Sequence, residues 1–289
     1  MNGTAPAETG TPVLRVEHPG LLATLQDGGR PGWRRFGVPP GGAMDDHAAA
    51  AANHLVGNAP ETPVLELLLQ GASLLVLQDV LLAVTGAEAD APIPSWQAVR
   101  VEAGRRVNFP RNRSGVWTYV AVAGGFTGPR LLGSVGVSPR AGLGQPLAAG
   151  DTIARAAVNP GPAPSTPGLG RRDYTIPPTL RVWPGPQWDL FPAAAREDFF
   201  ARTWQVTSQS DRVGYRLSGS PLATPTQPML SEPMLPGTIQ VPPGGLPLVL
   251  LRDGPTVGGY PKLGLIDPAD LSWLAQGRPG QALRFSPVA

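Results

Sequence analysis

Cysteine is absent from all 289 residues, which excludes disulfides, thiolate metal sites and a cysteine nucleophile together. Lysine is almost absent too: of the 23 basic residues only Lys262 is a lysine. With none in the first half, a lysine-bearing phosphate loop is excluded there. Charge of either sign is sparse, at 15% of residues against 42% hydrophobic, a balance that favours an ordered globular protein with a rather apolar surface suited to a partner. The net charge is +2 and the arginines form no run longer than a pair, so nucleic-acid binding is not expected despite a pI near 9.4. Long hydrophobic runs are lacking. No stretch reaches the roughly 18 apolar residues of a membrane span, and residues 1–12 lack the basic start and apolar centre of a signal peptide. Both point to a cytoplasmic protein away from the membrane. There are three histidines, of which His47 and His54 fall on one helical face but about 10.5 Å apart along the axis, too far to share an ion, so no metal site is expected. No serine sits in a G-x-S-x-G elbow, which leaves an ordinary hydrolase triad without support.

What is abundant is glycine and proline, 37 and 36 residues, dispersed between short apolar runs. Many turns imply many strands, and the expected fold class is mainly β with a few short helices, in two tandem β-rich domains. Strands are expected at 13–17, 64–69, 73–77, 80–85, 98–102, 106–109 and 116–122, several of them apolar on both faces and therefore buried. The clearest helix is HAAAAANHLV, with Asp45 to cap it and Gly57-Asn58 to end it. Residues 1–12 read as a disordered tail and 13–158 as the first domain. NPGPAPSTPGLGRRDYTIPP, at 159–178, has Pro or Gly at nearly every second position and reads as an exposed linker. The second domain, 179–289, carries strands at 179–183, 203–207, 215–217, 238–241, 247–251 and 281–285. A helix opens at Pro192, and another at 267–275 is capped by Asp267 with Pro268 in its first turn.

Chemistry-bearing residues cluster after the apolar strand LPLVLL, in RDGPTVGGYPK. A strand ending in a Gly-rich loop is where a scaffold presents functional groups. Asp253 and Lys262 are the catalytic candidates there, with Thr256, Gly258, Gly259 and Tyr260 for substrate binding; a simple Gly-Gly turn between strands is the structural alternative. Lys262 is singled out because the chain otherwise uses arginine, and a compact ammonium shifts its pKa readily. Upstream, after Ser231-Glu232, Gln240 lies between apolar Ile239 and Val241 and serves either as a substrate-binding amide or as a structural bridge. Arg212, in SDRVGYR, is suited to a bidentate hold on a carboxylate or phosphate, or to a surface turn with Asp211. In the first half there are Gly-rich turns at 26–30, with Arg30, and at 41–45, with Asp45, and the second leads into a helix amino end, a geometry that can hold an anion. Glu66 is a carboxylate in an apolar strand; facing inward it needs a partner, an arginine or backbone amides, as a structural pair, with catalysis as the alternative.

Read in order, LQDGGRPGWRRFGVPPGGAMDDHAAAAANHLVGN, LELLLQGASL, AVAGGF with LGS, SDRVGYRLSG, SEPMLPGTIQVPPGGLPLVLLRDGPTVGGYPKLG and DLSWLAQGRPGQALRF resemble the family of 5-oxoprolinase C-type subunits. That family is also described as allophanate hydrolase subunit 2, the Kip-inhibitor antagonist, and the A/B part of the urea carboxylase carboxyltransferase domain. The likeness spans residues 14–285. It implies a two-part β fold with a cyclophilin-like barrel, working beside a sister subunit of the allophanate hydrolase subunit 1 type and a lactam-hydrolase subunit. Three departures from the family pattern stand out: Val135-Gly136 where an arginine-serine pair is expected, Gln145 where an arginine is expected, and Pro255 where a glutamine is expected. The first two remove anion-binding groups.

The leading function implied is ATP-dependent opening of 5-oxo-L-proline to L-glutamate, with ATP engaged through the complex. Amide resonance protects a lactam from water, and phosphorylating its oxygen supplies a leaving group. A second implied reading is biotin-dependent carboxyl transfer to urea or a similar amide. A biotin carrier presents its lysine on a hairpin, usually between methionines, whereas the sole lysine here lies in GYPKLG, so biotin would arrive on another protein. The third is a non-catalytic antagonist of a kinase inhibitor.

Overall fold

The computed structural model describes residues 10–156, 170–227 and 229–288. It divides into two compact units, residues 1–30 with 41–175, and residues 31–40 with 176–289. No helix among the described residues is long and apolar enough to cross a membrane.

The first unit holds β1 (Thr11–Pro19), β2 (Ala23–Gln26), α1 (Asp46–Leu55), β3 (Val64–Leu68), β4 (Ala72–Val76), β5 (Val80–Ala89), β6 (Gln97–Val101), β7 (Arg106–Phe109), β8 (Asn112–Val122), β9 (Phe126–Thr127) and β10 (Thr152–Arg155). Two antiparallel five-stranded sheets form, in the orders β7-β4-β1-β10-β9 and β2-β3-β8-β5-β6. Alternation of side chains along each strand explains the layering. Leu65, Leu67, Val120, Val122, Leu82 and Val84 of the second sheet share one core with Val13, Leu74, Val107 and Ile153 of the first. The opposite face of the second sheet carries a row of fully buried polar residues in register, Thr24, Glu66, Tyr119 and Thr85. Helix α1 packs on β5 and β8, and the Thr85 hydroxyl donates to the carbonyl of Ala48 in its first turn at 2.6 Å. With both faces covered, the 116–122 part of β8 can be largely apolar.

The second unit holds β11 (Leu180–Pro184), α2 (Ala193–Ala201), β12 (Trp204–Val206), β13 (Gly214–Ser218), β14 (Glu232–Pro233), β15 (Thr238–Gln240), β16 (Leu248–Leu250), β17 (Val257–Gly258), β18 (Lys262–Ile266), α3 (Pro268–Ala275), β19 (Ala282–Leu283) and β20 (Phe285–Pro287). Eight strands run in the order β19-β12-β13-β16-β15-β18-β11-β20, and β14 pairs with β17 as a separate ribbon. The two edge strands, β19 and β20, are separated in sequence by Arg284 alone. The sheet therefore curls until its edges meet, giving a nearly closed barrel. Phe199 of α2 stacks on Phe285 at 4.8 Å, and the Tyr215 hydroxyl donates to the Ala275 carbonyl at the end of α3.

Several sequence expectations need correction. Residues 1–9 and 157–169 lie outside the described residues. Thr11 and Pro12, assigned to the tail, already pair with Arg155 and Ala154. Residues 170–175, assigned to the linker, are held on the first unit: Tyr174 is buried and its hydroxyl donates to Asp45 at 2.6 Å, while the Gly170 carbonyl meets the His47 ring at 2.9 Å. Specific polar contacts, with Arg171 also donating to Glu88 at 2.5 Å, thus dock a segment that shows no apolar period. The single strand expected at 281–285 is broken at Arg284 into two, because its halves pair with different neighbours, β12 and β11.

Candidate functional site

The polar cluster of the second unit is built on a register. Gln240 and Lys262 are partners across β15 and β18, next to a bulge that shifts the pairing after Ile239. Because of that bulge Lys262 lies on the face of Gln240, opposite the face of Ile239 and Gly264, and its side chain is only 5% exposed. A buried ammonium needs a counter-charge, and Glu232 of the β14 ribbon provides it, forming an ion pair with Nζ from a side chain that is 41% exposed. Gln187, also buried, locks the arrangement. Its Oε1 accepts from the Lys262 backbone N–H at 3.2 Å and its Nε2 donates to Glu232 Oε2 at 3.0 Å. Donation from Lys262 first, then from Gln187, holds the Glu232 carboxyl below its usual range.

The Gly-Gly loop closes over this cluster. Glu232 pairs with Gly258 in the ribbon, and a Cβ at Gly258 would lie 2.9 Å from Gln240 Nε2 and 3.0 Å from Met234 Cε. A side chain at 258 would therefore have to displace the Gln240 amide and the Met234 thioether end. Gln240 donates to the Tyr260 carbonyl over a long 3.4 Å, while the Tyr260 side chain and Gly259 are exposed. Thr256 contributes its backbone carbonyl, which accepts from Met234 N–H at 2.9 Å.

Asp253 is engaged differently. It receives two parallel bonds from Arg212, from Nε at 2.8 Å and Nη2 at 3.0 Å, with both side chains buried. The backbone repeats the tie, Asp253 N–H donating to the Arg212 carbonyl at 2.9 Å. The bidentate hold available to Arg212 is thus taken by a carboxylate of the chain itself. The candidates of the second unit form two hydrogen-bonded groups, Lys262 with Gln240 and their supports, and Asp253 with Arg212. Glu232 and Gln187 are not among the residues that sequence reasoning picks out. A lone buried lysine signals that an acid must be near, yet nothing local in the sequence says which one, and Gln187 gives no signal of its own.

In the first unit the anion-holding geometry is already filled from within. Asp45 caps α1, accepting from Ala48 N–H at 2.9 Å. Glu66 accepts from Met44 N–H and from the Tyr119 hydroxyl, both at 2.8 Å, and Tyr119 in turn accepts from Asp45 N–H at 2.8 Å. Burial, with Glu66 and Asp45 close by, pushes the Tyr119 hydroxyl well above its usual pKa, and burial followed by Asp45 does the same to Tyr174. Both hydroxyls therefore stay protonated as donors. Arg30, fully buried, donates to the Leu131 carbonyl at 2.9 Å and to the carbonyls of Ser134 and Gly136, pinning the loop that Asp27 also holds through Val135 N–H at 2.9 Å. Val135, where the resemblance implies an arginine, is a core residue, whereas Gln145 is exposed.

The carboxyltransferase domain model for subdomains A and B matches residues 36–287. The C-type subunit of 5-oxoprolinase from Escherichia coli (strain K12) is 36% identical over 283 residues, covering 94% of this chain and 90% of that protein. Among solved structures, TTHA0988 superposes with a TM-score of 0.87 at 37% identity over 98% of this chain, and the K. lactis urea amidolyase with 0.82 at 26% identity over 97%. The chain spans only 57% of the TTHA0988 chain and 19% of the amidolyase. A family match over most of the length, an identity of 36% with a full-length relative and the agreement of both β units carry one conclusion: this chain belongs to the family of carboxyltransferase domains with subdomains A and B.

Proposed function

We propose that this chain is the C-type subunit of an ATP-dependent 5-oxoprolinase, and that the cluster around Lys262 binds the lactam that the complex opens to L-glutamate. The observation that carries this reading is the buried Lys262 paired with the half-exposed Glu232 beside Gln240 and the Gly258-Gly259 loop, in a chain that aligns over nearly its whole length with a 5-oxoprolinase subunit of that type. The Lys262 ammonium polarises the lactam carbonyl, and Gln240 and Tyr260 border the ring. Asp253, a catalytic candidate on sequence, supports the loop through Arg212. The nucleotide is assigned to the sister subunits, since the amino end of α1 is filled by the Asp45 and Glu66 carboxylates. The apolar, charge-poor composition fits burial of part of the surface against those subunits, over an interface that exceeds about 2,000 Å² if obligate.

The test is reconstitution. The purified chain should be silent alone, form a complex with its sister subunit on size exclusion, and gain 5-oxoproline-dependent ATP hydrolysis when the lactam-hydrolase component is added. Turnover by the isolated chain would refute the shared-site reading. The likeness to urea amidolyase favours a second reading, carboxyl transfer to urea from biotin borne by another protein, and urea-dependent activity with a biotin carboxylase partner would establish it instead.

A further inference from the structure

The side-chain interactions that fix Glu232 converge on one side of its carboxylate. Lys262 Nζ and Gln187 Nε2 both donate to Oε2, and Gln187 is itself oriented by the Lys262 backbone N–H. This closed ring leaves two kinds of hydrogen-bonding capacity side by side. Oε1 of Glu232 is an acceptor on a half-exposed side chain, and the Lys262 ammonium, with three N–H donors, uses one on Glu232. An acceptor next to a donor is complementary to a group that offers a donor next to an acceptor. A lactam is such a group, because its ring forces N–H and C=O onto the same side of the amide. A trans peptide amide points them in opposite directions and does not match.

We propose that Glu232 is a specificity-determining residue that accepts the amide N–H of the ligand while Lys262 donates to its carbonyl oxygen, with Gln187 as the positioning residue that keeps the carboxylate turned for this edge. The inference rests on the reading of the Lys262 cluster as the lactam site. It predicts discrimination by a single atom. In the lactone analogue of 5-oxoproline, a ring oxygen replaces N–H and sets lone pairs against Glu232.

The test is equilibrium binding of 5-oxo-L-proline and of its lactone analogue to the assembled complex. The wild type should prefer the lactam by about 10- to 100-fold, the range for a hydrogen bond to a charged group. Glu232→Met should bring that ratio close to one, by weakening the lactam and not the lactone. Glu232→Gln, which keeps an acceptor oxygen and preserves the fold if the Met variant does not, should retain part of the preference. Gln187→Leu should lower the ratio without abolishing it. Loss of both ligands by the same factor, or an unchanged ratio in both Glu232 variants, would overturn the role of Glu232 and leave the lactam site standing. Failure of the wild-type complex to bind either ligand would overturn the functional reading and this inference with it.

Discussion

Tyr119 stands directly opposite Glu66 in the β3–β8 register and donates its hydroxyl to the Glu66 carboxylate at 2.8 Å, while accepting the Asp45 backbone N–H at the same distance. One phenol thus joins the sheet to the start of α1. Tyr119→Phe removes a donor from Glu66 and an acceptor from Asp45 N–H with almost no change of shape. The expected loss is about 1–3 kcal/mol of unfolding free energy, measured by urea titration. A change below a few tenths would show that other groups replace the hydroxyl.

Asp45 serves two clients, the Ala48 N–H at 2.9 Å and the Tyr174 hydroxyl at 2.6 Å. Asp45→Ala should destabilise by about 1–2 kcal/mol through the lost cap. It should also raise hydrogen exchange in residues 170–175, since Tyr174 is one of the groups that dock them. Exchange there equal to wild type would separate the segment from the cap.

The buried Arg212–Asp253 pair gives a prediction opposite to a catalytic role. Asp253→Asn removes the carboxylate charge that the buried Arg212 guanidinium holds bidentately and should destabilise by about 3–5 kcal/mol. The fraction that remains folded should keep its kcat/KM in the assembled complex. A stable variant that has lost turnover would restore Asp253 to the chemistry.

The Glu232 carboxyl is held below its ordinary value of 4.5 by Lys262 and Gln187. A depressed pKa means that the folded state binds its proton less readily than the unfolded one. The stabilisation is therefore complete above the ordinary value and fades as pH falls through the folded one. Thermal melts should show a Tm gap between wild type and Glu232→Gln that is constant above about pH 5.5 and narrows in acid. A gap that widens in acid would contradict the assigned direction.

The parts of this protein that the sequence makes legible are those governed by local rules. The polyalanine helix with its Asp45 cap appears where it is expected, as does the helix capped by Asp267, which accepts from Ala269 N–H at 3.0 Å. The long apolar run at 116–122 is a strand because both its faces are covered. What escapes is set by pairing between distant segments. Glu232 reaches Lys262 across 30 residues of sequence, with β15, β16 and β17 between them, and Gln187 arrives from a turn after β11. The grouping of residues 31–40 with the second unit has no trace in composition. Asp253 is legible only in part for a related reason: its place in a Gly-rich loop beside Lys262 is read from the sequence, and only the fold reveals that Arg212 lies against it.

Lys262 carries the proposed chemistry of the assembled enzyme. The measurement that tests this most directly is 5-oxoproline-dependent ATP hydrolysis by the reconstituted complex, with wild-type chain and Lys262→Met compared side by side, after each is shown to fold and assemble equally. The wild type should be active only with all components present, and Lys262→Met should lose about 10- to 100-fold or more in kcat/KM, as expected for removing a charged contact to the substrate. Equal turnover in the two complexes would contradict the assignment of this site.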